Sequence, residues 1–229
     1  MIVSHNPFTS AITFQGAYDT IEELKNKLVL SKTIHQYWKK TLIIDRKQLF
    51  VQLALLMEQE KNVFAKLISE EMGKPILESI AEVEKCIGLV YWYTEQTESF
   101  IQDSANLKMN QNSYSYIQYK PVGTILGIMP WNFPFWQVFR FAIPTLFVGN
   151  TVILKHAPNV QGCALAMQAL FERSGFTLGV FLSVFASTDD IEVLISSPTI
   201  QGVSFTGSEK AGRAVAKIAG SHLKNVSLN

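Results

Sequence analysis

Residues able to do chemistry are sparse in this chain and fall in three short stretches. Asn132 stands within Pro130-Trp131-Asn132-Phe133-Pro134. Lys155 closes the run Gly149-Asn150-Thr151-Val152-Ile153-Leu154-Lys155, and Gly207-Ser208 follow Phe205-Thr206. Each stretch reads as a turn at the end of a short β-rich run. In open parallel sheets, ligands bind beyond the carboxyl ends of the strands. Asn132 is therefore the first residue to suspect of chemistry. Gly207 and Ser208 sit where a strand meets a helix N-terminus. Free N–H groups and the helix dipole there suit a phosphate, although an ordinary Ser N-cap gives the same pattern. Lys155 can donate to ribose hydroxyls or phosphate, or be a solvated strand end. His156 beside it reads as structural. Arg140 is the one charge between Pro121 and Leu154. Buried unpaired it would be costly, so it calls for a carboxylate, from the protein or from a substrate.

These residues need a scaffold, and Pro121 to Lys155 is its centre. A membrane span needs about 20 apolar residues in one regular element. Pro130, Pro134 and Pro144 interrupt the run, and Asn132 and Gln137 lie inside it. The better reading is a strand over 122–129, a polar turn over 131–134, a helix over 135–147 and a strand over 151–154. Further along, 159–174 has helical spacing, 180–185 and 202–205 read as strands, and 188–196 and 209–220 as helices. Thr188 or Asp189 would cap the first of these. Such alternation predicts an α/β fold, a doubly wound parallel sheet.

Ahead of that unit the chain is helical. Residues 18–40 form an amphipathic pattern with Asp19 near its start. Residues 45–72 carry one apolar stripe through Leu49, Leu53, Leu56, Val63, Phe64, Leu67 and Ile68, stopped by Gly73-Lys74-Pro75. A further helix is expected over 76–102. The expected division is a helical layer over 15–103, a segment over 106–120 that reads equally as an oligomerisation arm or a covered edge strand, and βα units over 121–229. Residues 1–16 read as an extended arm.

Composition sets the outer limits. The chain has 229 residues, 48% hydrophobic and 17% charged, with a net charge of +1. That describes a globular core and gives no reason to expect nucleic acid or a phospholipid surface. The N-terminus lacks a basic segment followed by an apolar run, so no secretory signal is read. Two distant cysteines, Cys86 and Cys163, fall in helical stretches as small buried hydrophobes and suggest a reducing cytoplasm. Four scattered histidines show no metal-ligand spacing.

Together, the Pro130–Pro134 motif, Gly149–Lys155, Phe205-Thr206-Gly207-Ser208 with Gly212, and Glu71-Met72-Gly73-Lys74-Pro75 resemble the aldehyde dehydrogenase superfamily. The resemblance covers nearly the whole chain, and Leu154-Lys155-His156-Ala157-Pro158-Asn159-Val160 is similar to its succinate-semialdehyde branch. It implies NAD or NADP as cofactor and an aldehyde, specifically a semialdehyde, as substrate. It implies that Asn132 donates its amide to the oxyanion of a thiohemiacetal. Ile128, Met129 and Trp131 would line the cofactor cleft, Lys155 would hold the adenosine ribose, and Gly207 and Ser208 would meet the pyrophosphate. Arg140 would meet the distal carboxylate of the substrate.

The chain departs from the family pattern in three places. Pro158 replaces a Glu that commonly follows the ribose lysine. Ser187 and Ile191 replace two glycines. Asn229 stands where the general-base Glu is expected, and neither cysteine matches the nucleophile. The expectation is an incomplete cofactor-binding domain, inactive alone. The other readings are a nucleotide-binding module, a homo- or hetero-oligomer partner, or a non-functional remnant of an interrupted gene.

Overall fold

The computed structural model describes residues 1–101, 104–110 and 113–229, with side chains outside 97–116. The chain opens with β1 (Ile2–His5) and β2 (Ile12–Gly16), an antiparallel pair. Four helices follow: α1 (Ile21–Trp38), α2 (Ile43–Gln59), α3 (Lys61–Met72) and α4 (Ile76–Ile101). Next come β3 (Ser104–Asn110) and β4 (Ser113–Ile117), then β5 (Thr124–Met129), α5 (Trp136–Phe147), β6 (Thr151–His156) and α6 (Gln161–Arg173). The chain continues through β7 (Phe181–Ser183), α7 (Ile191–Ser196), β8 (Ile200–Phe205), α8 (Glu209–Ser221) and β9 (Asn225–Leu228).

Strands β5 to β9 form one parallel sheet in the order β7-β6-β5-β8-β9. The chain builds outward from β5 in one direction, then returns to its other side. That reversal opens a crevice at the carboxyl ends of β5 and β8, the place where open α/β sheets take ligands. Two apolar layers cover the sheet. One packs α2, α3, α4, α5 and α6 around Val152, Leu154, Phe139 and Phe147. The other packs α1, α7 and α8 around Leu126, Ile153, Val203 and Phe205. The doubly wound expectation holds.

Several local expectations change. The predicted 45–72 helix is two helices, because Glu60 leaves helical geometry at φ −104° and ψ 13°. Its carboxylate pairs with Arg173 on α6 instead, at 2.6 and 2.7 Å. Val63 of the expected stripe is exposed as a result. Thr20, not Asp19, caps α1 in a capping box with Glu23, and Asp19 accepts from Phe185 N and Lys27. Asp190 takes the cap position of α7 expected for Thr188 or Asp189. Pro144 lies inside α5 without ending it; the carbonyl deprived of its N–H partner belongs to the solvent-exposed Arg140. Residues 1–16 form a hairpin with a turn over Asn6–Ala11. The 106–120 arm contains the antiparallel pair β3–β4, with Ile117 and Tyr119 exposed. The side chains of Tyr114 and Tyr116 lie outside the described residues. Cys86 and Cys163 are buried thiols, as expected.

The helical layer is tied to the sheet by buried polar groups. Glu71 of α3 accepts from Gly162 N and Cys163 N, both at 2.8 Å, and so caps α6 from another element. Glu82 of α4 accepts from Phe135 N and Trp136 N, both at 2.9 Å, at the start of α5. At the other end of α5, Arg46 donates to Phe147 O and Trp38 Nε1 donates to Leu146 O. The first N–H groups and last carbonyls of a helix have no partner within it, and these side chains supply them. His156, buried at the end of β6, bridges to the loop after β5. Its Nδ1 accepts from Ala157 N at 2.9 Å, leaving Nε2–H to donate to Pro134 O at 2.9 Å. Burial pushes its pKa from 6.5 to about 4, and the nearby Lys155 acts in the same direction.

Two consequences can be measured. Glu71→Ala strands two N–H groups in a buried setting, at a cost of about 1–3 kcal/mol each, and is expected to lower the urea midpoint without changing its slope. His156 has a depressed folded pKa, so its contribution is intact above pH 6.5 and is lost as pH falls toward about 4. The loss is about 3 kcal/mol over that window. His156→Gln is expected to flatten this part of the stability–pH curve; an unchanged slope would show that other groups set it.

Candidate cofactor and substrate site

The sheet register assembles the first part of the site. Ile128 on β5 pairs with Lys155 on β6 and with Phe205 on β8. Register partners share a face, and all three line one cavity of about 200 Å³, with Thr188 and Ile191 across from them. No carboxylate lines this cavity. Lys155 is half-buried there, and desolvation holds its pKa below the ordinary lysine value. A desolvated cation without an acidic partner favours a ligand rich in hydroxyls or negative charge.

The second part adjoins it across Phe205. Gly207, Ser208 and Gly212 line a depression of about 580 Å³ at the N-terminus of α8. Ser208 is the N-cap, accepting from Ala211 N at 3.4 Å. The first turn of α8 therefore presents N–H groups at this opening, as anion sites require. Gly207 has a further reason to lack a side chain: a Cβ there would come within 2.6 Å of the Phe205 ring. The backbone of Asn229 completes this edge, donating to Phe205 O and accepting from Gly207 N. Both the N-cap and the phosphate reading of Ser208 fit this geometry.

The loop between β5 and α5 holds the third part. Trp131, Asn132 and Phe133 are exposed, whereas Pro134 and Phe135 are buried. Asn132 thus presents its amide outward from a loop whose other side is packed. Met129, grouped with Ile128 in the sequence reading, faces the opposite side of the sheet and is buried in the α5–α6 layer. Its side chain does not reach the Lys155 cavity.

Arg140 corrects an expectation. It is exposed on α5, and among the described residues no carboxylate pairs with it. It needs no protein partner because it faces an open cleft of about 630 Å³, shared with Thr206, Ser204 and Asn229. This cleft lies over the β5–β8–β9 part of the sheet. Of the expected residues, the structure brings together Ile128, Lys155, Gly207 and Ser208 around Phe205. Asn132 and Trp131 stand on the neighbouring loop, and Arg140 stands apart on α5.

Sequence reasoning missed the supports of this loop. Lys74 and Glu82 form a buried ion pair beneath it, and the Lys74 ammonium lies 3.6 Å from the Phe133 ring centroid. The available signal was faint: Ser79, Glu82, Val83 and Cys86 fall on one helical face, so a charge sits within an otherwise buried stripe.

No helix among the described residues is long and apolar enough to cross a membrane, and no cluster of His, Cys, Asp or Glu there could hold a metal ion. Comparison with known proteins gives a consistent answer. The aldehyde dehydrogenase family matches residues 1–229. A probable NADP-dependent succinate-semialdehyde dehydrogenase of Synechocystis is 37% identical over 227 residues, 99% of this chain and 50% of that protein. The NAD(P)-dependent succinate semialdehyde dehydrogenase Sad of Escherichia coli is 37% identical, over 97% of this chain and 48% of its own length. Among solved structures, succinic semialdehyde dehydrogenase from Streptococcus pyogenes in complex with NADP+ superposes with a TM-score of 0.94 at 27% identity, over 100% of this chain and 50% of that one. The chain thus spans about half the length of the relatives it matches, their N-terminal part, and it belongs to the aldehyde dehydrogenase family.

Proposed function

We propose that residues 1–229 are the cofactor-binding portion of an NADP-preferring aldehyde dehydrogenase acting on a semialdehyde such as succinate semialdehyde. The observation that carries this is the half-buried Lys155, without an acidic partner among the described residues, in a cavity that no carboxylate lines, one ring away from the Ser208 helix terminus. A ribose bearing a 2′-phosphate supplies the negative charge that the Lys155 ammonium lacks. Pro158, exposed near Lys155 in sequence, places no carboxylate there to repel it. Ser208 and the first N–H groups of α8 would hold the pyrophosphate, with Gly207 leaving room for it. The bound nicotinamide serves as hydride acceptor.

The residues of this chain then bind, orient and stabilise. Trp131 and Ile128 border the dinucleotide. The Asn132 amide donates to the oxygen that becomes negative when a nucleophile adds to the aldehyde carbon, a preorganised dipole of the kind that lowers such barriers. Arg140 offers a planar, permanently charged fork for a distal carboxylate. The nucleophilic cysteine and the general base belong, in this reading, to the remainder of the enzyme. Inactivity of residues 1–229 alone follows from the absence of both. The β3–β4 hairpin pairs with no other sheet among the described residues, which favours it as the contact between subunits of a homo- or hetero-oligomer. The buried free thiols accord with a cytoplasmic protein.

Titration of NADP+ and NAD+ by calorimetry, with Trp131 emission as a second readout, tests the cofactor assignment. NADP+ is expected to bind about tenfold more tightly, or about 1.4 kcal/mol. Lys155→Met should remove most of that binding, and Pro158→Glu should reverse the preference. No heat and no emission change with either dinucleotide would refute the assignment. In the assembled enzyme, Arg140→Met is expected to raise KM for a carboxylate-bearing aldehyde by about tenfold or more while sparing a neutral aldehyde; equal effects on both would remove Arg140 from the substrate site.

A further inference from the structure

We infer that the buried Lys74–Glu82 pair sets the position of the Asn132 amide, making Lys74 and Glu82 positioning residues for the reaction. The inference rests on the reading of Asn132 as the oxyanion donor and adds the device that holds it.

The loop after β5 has few means of holding itself. Pro130 and Pro134 have no N–H, so five backbone donors remain between Pro130 and Trp136. Glu82 takes the last two, Phe135 N and Trp136 N, through a single oxygen, Oε1. Its other oxygen, Oε2, accepts from Lys74 Nζ. Both side chains are nearly inaccessible, at 1% for Glu82 and 6% for Lys74. Hydrogen bonds between charged partners are shorter and roughly twice as strong as neutral ones, and here they are made out of contact with solvent. The same ammonium lies over the Phe133 ring at 3.6 Å. A cation over a ring face is attracted to it, which ties Phe133 to the ion pair, and Phe133 directly follows Asn132. From the other side, His156 Nε2 fixes Pro134 O at 2.9 Å.

The chain that follows Asn132 is thereby held: Phe133, Pro134, Phe135 and Trp136 each have one group fixed by Lys74, His156 or Glu82, while Trp131 and Asn132 are exposed. Lys74 reaches this spot because Gly73 adopts φ 79°, turning the chain sharply at the end of α3. An ion pair placed only to join α3 to α4 would have no reason to touch both the ring beside Asn132 and the two N–H groups that begin α5.

The test is read by NMR on the 229-residue chain without cofactor or aldehyde, so its outcome does not depend on the dehydrogenase reading. Asn and Trp are labelled with nitrogen-15, along with backbone amides. In Lys74→Met, the Asn132 side-chain amide pair and the Trp131 indole signal are expected to move by more than a linewidth. Exchange of the Phe135 and Trp136 amides should quicken about tenfold, while Leu126 and Ile153 on the central strands β5 and β6 stay unchanged. Lys74→Arg, which keeps the charge over the ring and the pair, is expected to restore the parental positions. Should Lys74→Met fail to fold, the uncharged double variant Lys74→Met/Glu82→Gln retains an acceptor for the two N–H groups; in it the Asn132 and Trp131 signals are expected to move while the Phe135 and Trp136 amides stay protected. If the Phe135 and Trp136 amides quicken but the Asn132 and Trp131 signals stay at their parental positions, the pair is a simple fastening of α5 and the inference is wrong.

Discussion

Helices that begin inside a protein must find acceptors for N–H groups that no residue of the helix can satisfy. In this fold, two of the crossover helices around the sheet meet that demand with carboxylates from outside the sheet domain. Glu71 closes the start of α6, and Glu82 closes the start of α5. Each is almost wholly buried, so each bond is made in a low-dielectric setting where loss of one partner is expensive. Burial by itself raises the pKa of Glu71, and the N–H donors from Cys163 and Gly162 oppose that rise. The helical layer is therefore more than packing against one face. It completes the polar bonding of the βα units, and the loops that precede α5 and α6 inherit their positions from it.

The geometry of the site follows from this arrangement. Strand β5 starts the sheet, and β6 and β8 flank it in register, so Ile128, Lys155 and Phe205 meet at one height. The Lys155 cavity and the Ser208 helix terminus are two halves of one surface, divided by the Phe205 ring. Asn132 stands on the loop beside them. The charged groups lining this surface are Lys155 and the paired Glu209 and Arg213; His156, buried next to Lys155 in sequence, is held neutral, and burial raises both cysteines well above their ordinary range. Such a surface has the means to bind, orient and stabilise charge.

Much of this was legible from residue types alone. Period and punctuation marked the strands and turns that carry Asn132, Lys155 and Ser208, because buried strands and helix starts have strong local signatures. Gly73 announced the end of α3 for the same reason. The break at Glu60 was hidden: the residue pairs with Arg173, 113 positions away, and such a pair leaves no local signature. The exposure of Arg140 was hidden too: an apolar neighbourhood in sequence does not say which turn of a helix faces an open cleft. Met129 and Ile128 looked alike as neighbours, yet consecutive strand residues face opposite layers. Glu82 and Lys74 gave the weakest signal, because capping of one helix by another element leaves no trace at the capped residues.

The Phe205 ring carries one further implication. A Cβ at Gly207 would approach it to 2.6 Å, and one at Gly212 to 3.3 Å. The three positions thus share a single allotment of space, and their substitutions are coupled, not additive. A side chain at 207 becomes tolerable only after the ring at 205 shrinks. That same change would merge the cavity at Lys155 with the depression at Ser208. Along an evolutionary path these replacements are linked: the ring at 205 must give way for a side chain at 207, and the shape of this surface changes with it.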